Sequence, residues 1–73
     1  MMHWKEEPMA IKKALTARGF TVISAKKGKG TARVWNHIKV IDKNNNFAVT
    51  YTEANKIAEE TCGHDKVAIS VVL

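Results

Sequence analysis

Ala25-Lys-Lys-Gly-Lys-Gly-Thr-Ala-Arg-Val-Trp-Asn-His-Ile-Lys-Val-Ile-Asp42 joins a cationic glycine turn to a segment of alternating polarity. Side chains of a strand point to opposite faces with period two, so Val34, Asn36, Ile38 and Val40 share one face and Arg33, Trp35, His37 and Lys39 the other. The first set is core material. The second is a surface of cations and rings. Lys26 to Thr31 is expected to be the tip of a β-hairpin, because Gly28 and Gly30 supply the positive φ angles that tight connections need.

Upstream of this stretch, Pro8 suits a first helical turn, and the spacing of Ile11, Ala14, Leu15 and the Arg18 stem predicts a helix from about Pro8 to Arg18. Gly19 is placed to end it in a left-handed conformation, with Phe20 folding back on Leu15. Phe20 to Ala25 then reads as one strand and Ala32 to Ile41 as the next.

Downstream, Lys43 to Asn46 is expected to turn the chain into a third strand, Phe47 to Tyr51, with Val40 opposite Val49 and Ile38 opposite Tyr51. Thr52 is the expected cap of a second helix, with a Thr50/Glu53 box as the alternative, and Ala54, Ile57, Ala58 and Thr61 are its buried stripe. Gly63 closes that helix, and Lys66 to Leu73 is a last strand with Val67, Ile69, Val71 and Leu73 on one face. The expected fold is α+β, in the order α-β-β-β-α-β: an antiparallel meander extended by the C-terminal strand, with two helices on one face. Residues 1–73 read as one domain, with 1–7 as a loose N-terminal arm.

At 73 residues the chain has room for one modest core, and its 45% hydrophobic content argues against disorder. A single cysteine, Cys62, cannot form an internal disulfide, which suits a reducing, cytoplasmic location. No apolar run is long enough to span a bilayer, so no membrane partner is expected. The charge of +5 is unevenly spread. Lys12 to Lys43 holds nine of the 12 basic residues and one acid, Asp42, whereas the rest holds three basic residues and six acids. Such polarity favours an anionic partner, either nucleic acid or an acidic protein surface.

The candidate binding residues are Lys26, Lys27, Lys29, Arg33, Trp35, His37 and Lys39. The cations would meet phosphates and Trp35 would stack on bases of a single strand. The plain alternatives are solvated charge at a hairpin tip and a Trp35 that merely fills an interface. The glycines do not make a nucleotide-binding loop, because Ile23 stands where that loop needs its first glycine and a strand follows instead of a helix. No catalytic residue is expected. Glu59 and Glu60 diverge around a helix, and His37 has no carboxylate nearby in sequence to orient it. No metal or other cofactor is expected either, since His3, His37, Cys62 and His64 match no standard zinc spacing.

The run Ile11-Lys-Lys-Ala-Leu-Thr-Ala-Arg-Gly-Phe20, followed by a strand and Lys27-Gly28, resembles the opening of the small HicA-type toxins, whose layout is similar to that of double-stranded-RNA-binding domains. The resemblance implies an αβ domain on RNA. Lys29, Gly30 and Thr31 stand where that family carries its catalytic histidine, so ribonuclease activity does not carry over, and Glu53, Glu59 and Glu60 make the second helix acidic where double-stranded-RNA-binding domains are basic. In general arrangement the chain is also similar to compact phage and mobile-element proteins, including anti-CRISPR inhibitors. Together these readings give a small non-enzymatic nucleic-acid binder, with a protein-binding inhibitor of a host protein or nucleoprotein complex as the alternative. The last strand could equally pair with a second copy, giving a homodimer through an edge.

Overall fold

A computed structural model describes residues 6–28 and 33–73. Its elements run α1 (Glu7–Ala17), β1 (Val22–Lys27), β2 (Asn36–Ile41), α2 (Phe47–Cys62) and β3 (Val67–Val72). The fold is α+β, with both helices packed on one face of a three-stranded mixed sheet in the order β1-β2-β3.

The first helix follows its sequence signals closely. Pro8 lies in its first turn, Ile11 and Leu15 are fully buried, and Ala14 packs beside them. It ends at Gly19, φ +90°, where the Gly19 amide donates to Thr16 and the Phe20 amide to Leu15, so the last carbonyls of the helix are satisfied as Phe20 enters the core. Glu7 is the first residue of this helix and only 4% exposed, so the loose arm expected over 1–7 does not include it. Residues 1–5, with Trp4, lie outside the described residues.

β1 and β2 are antiparallel, pairing Val22 with Val40, Ala25 with Ile38, Lys26 with His37 and Lys27 with Asn36. An extra residue between Val22 and Ser24 bulges the strand and leaves Ile23 half exposed. Lys26 and Lys27 therefore belong to the ladder and not to the turn, and Lys29, within 29–32, lies outside the described residues. Gly28 is the position where a side chain would not fit. Its amide donates to the Trp35 carbonyl at 2.7 Å, and a Cβ there would stand 2.3 Å from the Val34 oxygen.

The main departure from expectation is Phe47 to Tyr51, which is the opening of α2 and not a third strand. A helix from Phe47 to Cys62 puts Thr50, Ala54, Ile57 and Ala58 on one buried stripe, whereas a strand would leave that stripe without its first turn. The N-cap is Asn46, whose side chain accepts from the Val49 amide at 3.2 Å, so neither Thr52 nor a Thr50/Glu53 box caps the helix. Thr52 instead donates back to the Ala48 carbonyl. With 47–51 helical, α2 becomes a crossover, and β3 lies parallel to β2 with Ile38 beside Ile69 and Val40 beside Val71. The order is α-β-β-α-β, and the antiparallel meander is replaced by a hairpin plus a β2-α2-β3 unit.

Ile11, Leu15, Phe20, Ile38, Val40, Ala54, Ile57, Ala58, Val67 and Ile69 make one core between the helices and the sheet. Burying each of the larger side chains contributes roughly 1.5–3 kcal/mol. This fixes which face of β2 points inward, and therefore which faces out. Among the described residues, no helix is long and apolar enough to cross a membrane.

Candidate nucleic-acid interface

β2 keeps the parity read from its sequence: Asn36, Ile38 and Val40 are buried, and His37 and Lys39 are exposed on the side away from the helices. The register sets Lys26 of β1 beside His37, and Ser24 beside Lys39. On the other flank Ala68 lies next to His37 and Ser70 next to Lys39, so the cations of β2 are bordered by small side chains of β3. None of the three strands contains Asp or Glu, and all seven acids of the chain fall in helices or connections. The acids are therefore kept off the sheet, whereas cations stand in both layers: Lys26 and Lys39 on the open face, and Lys12 and Lys13 on α1 and Lys56 on α2 with Glu53, Glu59 and Glu60.

The seven expected binding residues do not form one patch. Lys26, His37 and Lys39 share the open face, and Arg33 is exposed in the connection before β2. Lys27 pairs with Asn36 and so projects from the helix side of the sheet. Trp35 is half-buried and engaged. His64 meets its ring edge-on at 4.8 Å between centroids, and the Lys66 ammonium lies 5.7 Å above it. No Phe, Tyr or Trp occurs in β1, β2 or β3, so among the described residues of the strands the ring on the open face is the imidazole of His37.

Comparison of the chain with protein-family models, curated proteins and solved structures found no match.

Behind Trp35 lies a polar cluster that spacing along the chain could not reveal. Asn36 Nδ2 donates to Glu7 Oε1 at 3.0 Å, and His64 Nε2 lies 2.9 Å from the same oxygen. Because His64 Nδ1 accepts the Lys66 amide at 3.1 Å, the neutral ring carries its proton on Nε2 and donates it to Glu7. Cys62 completes the group, its thiol directed at the His64 carbonyl at 3.4 Å. Burial raises the pKa of that thiol; the contact with the His64 carbonyl opposes it, and the Glu7 and Glu59 carboxylates add smaller upward contributions. A thiol so placed stays protonated and is a poor nucleophile.

At the far end of β2, Asp42 organises the entry to α2. Its carboxylate accepts the Thr50 hydroxyl and the Asn46 amide, while Asn44 Nδ2 donates to Thr50 and to Glu53. The Thr50 hydroxyl, helped by the backbone amides of Asn46 and Asn44, lowers the Asp42 pKa below its ordinary value against a smaller opposing effect of burial. Nothing in the sequence of Lys43-Asn44-Asn45-Asn46 distinguishes this helix entrance from a hairpin turn; Asn45, at φ 50°, would suit both.

Proposed function

We propose that the protein is a non-enzymatic nucleic-acid binder that lays its open sheet face along a sugar-phosphate backbone. The observation that carries the reading is a sheet free of acids: Lys26, Lys39 and His37 stand together on a face whose strands hold no Asp or Glu. Arg33 extends the same charge at the hairpin. Long-range attraction of a polyanion follows from such a surface, and phosphates would be met by Lys26, Lys39 and Arg33.

The engagement of Trp35 by His64 and Lys66 refines the choice of ligand. With no Phe, Tyr or Trp on the face and only the His37 imidazole for a ring, the stacking that single-strand binders rely on is poorly served, and a duplex read through its phosphates is the better fit. Fluorescence anisotropy with labelled duplex and single-stranded oligonucleotides of equal length tests this. The duplex should bind with a dissociation constant on the order of 10⁻⁴–10⁻⁶ M at physiological salt and at least as tightly as the single strand. No binding of either at low salt would remove the reading.

A second reading, a protein-binding inhibitor, is favoured by one feature. Phe47, Val49 and Tyr51 are about half exposed at the start of α2, with Phe47 and Tyr51 one helical turn apart. Changing Phe47 and Tyr51 to Ser separates the readings, since it leaves nucleic-acid affinity unchanged and abolishes an association made through the helix.

A further inference from the structure

A buried acid and a buried unsatisfied side-chain atom occur at one place. Among the described residues Glu7 is the only buried carboxylate, and Asn36 Oδ1 is the only buried side-chain oxygen or nitrogen with no hydrogen-bond partner. Asn36 is fully buried and its amide faces Glu7 Oε1 through Nδ2, so its orphan oxygen belongs to the same amide as the donor to Glu7 and is turned to the amide's other side. Cys62 and His64 close the same space, and donor atoms of Glu7, Cys62 and His64 all lie within 4.8 Å of one another.

We infer that Glu7, Cys62 and His64 form a binding site for a divalent, zinc-class cation, with Asn36 Oδ1 or a water as fourth ligand. Carboxylate oxygen, imidazole nitrogen and thiolate sulfur are the donors such an ion takes. In a tetrahedral site with bonds of about 2.0–2.3 Å the donors stand roughly 3.3–3.7 Å apart. Donors already within 4.8 Å need shifts of about an ångström. Glu7 and His64, at 2.9 Å, need only to separate slightly.

Coordination exchanges bonds that can be named. The Cys62 thiol gives its proton to solvent and binds as thiolate. The imidazole binds through Nε2, giving up its hydrogen bond to Glu7; its proton moves to Nδ1, which releases the Lys66 amide to solvent. A half-turn of the Asn36 amide presents Oδ1 to the cation at the loss of the Nδ2 bond to Glu7; without that turn a water is the fourth ligand. An approach exists as well: a shallow depression lined by Glu59, Glu60, Gly63, His64 and Asp65 opens beside the histidine, and its three carboxylates attract cations toward the cluster. This site is independent of the basic sheet face.

Titration of the full, reduced chain with cobalt(II), followed by displacement with zinc(II), tests the inference. The expected result is a near-ultraviolet thiolate-to-cobalt charge-transfer band that saturates at one equivalent and is bleached by zinc. Cys62→Ser should remove the band, and His64→Ala should weaken zinc binding by more than about 10-fold, the lower end of what loss of even an outer-shell partner costs. Zinc should raise the melting temperature of the parent and of Lys39→Ala alike, and leave that of Cys62→Ser where it was. Absence of the band at millimolar cobalt, or a Cys62→Ser chain of native circular dichroism that binds zinc as tightly as the parent, would overturn it.

Discussion

Glu7 and His64, fifty-seven positions apart in the chain, meet at 2.9 Å and tie the first turn of α1 to the connection between α2 and β3. Asn36 joins them from the first position of β2, so one carboxylate oxygen holds three segments together. Removing it leaves the buried Asn36 donor and the partly buried His64 donor without an acceptor. Glu7→Ala is therefore expected to destabilise the fold by roughly 2–3 kcal/mol, read as a lower urea midpoint. Glu7→Gln keeps an acceptor oxygen and should lose less.

Two glycines separate steric from conformational cost. At Gly28 a methyl group would press into the Val34 carbonyl, so Gly28→Ala should cost about 1–3 kcal/mol and loosen the hairpin. At Gly63 a methyl group would meet nothing within 4 Å and only φ +80° opposes a side chain, so Gly63→Ala should cost about 1 kcal/mol. Paired denaturation curves check the order.

The cap of α2 is equally testable. Asn46→Ala removes the acceptor of the Val49 amide and should cost about 1 kcal/mol, whereas Thr52→Ala, which loses only a bond back to Ala48, should stay within about 0.5 kcal/mol of the parent. The reverse ranking would return the helix start to Thr52.

Acid should act through Asp42. Its folded pKa is lowered first of all by the Thr50 hydroxyl, so the carboxylate binds its proton less readily when folded than when unfolded. The stability it contributes is fully present above about pH 4, the ordinary carboxylate range, and is lost as pH falls through the lower, folded pKa. Urea midpoints measured from pH 5 to pH 2 should fall less steeply in Asp42→Asn than in the parent.

How far the sequence could be read depended on whether a pattern was local. Alternation from Asn36 to Ile41 has one burial solution once Ile38 and Val40 are apolar, and Gly19 can end α1 in only a few ways, so both were legible. Phe47-Ala-Val-Thr-Tyr51 was not. Its β-branched and aromatic residues favour a strand in isolation, yet the continuous stripe of Thr50, Ala54, Ile57 and Ala58 and the cap at Asn46 make it helical, at the cost of exposing Phe47, Val49 and Tyr51. The signal was the spacing of that stripe, which begins before Thr52. With the helix lengthened, β3 had to arrive parallel to β2. The Glu7 cluster was invisible for a different reason: its members are brought together by three separate elements, and no interval along the chain encodes that.

Binding through the acid-free sheet face has a thermodynamic signature. For duplex binding, each phosphate neutralised contributes about −0.9 to the slope of log affinity against log salt, so a Lys26→Ala/Lys39→Ala double variant should lose about 1.8 of that slope. Lys56→Ala, on the helix layer, should lose none.

The most direct measurement is an amide chemical-shift map of the labelled protein titrated with a short duplex. Binding by the open sheet face predicts perturbations at Lys26, His37, Lys39 and Ser70, with Phe47 to Tyr51 undisturbed. Perturbations centred on Phe47, Val49 and Tyr51, or a spectrum that saturating duplex leaves unchanged at low salt, would contradict it.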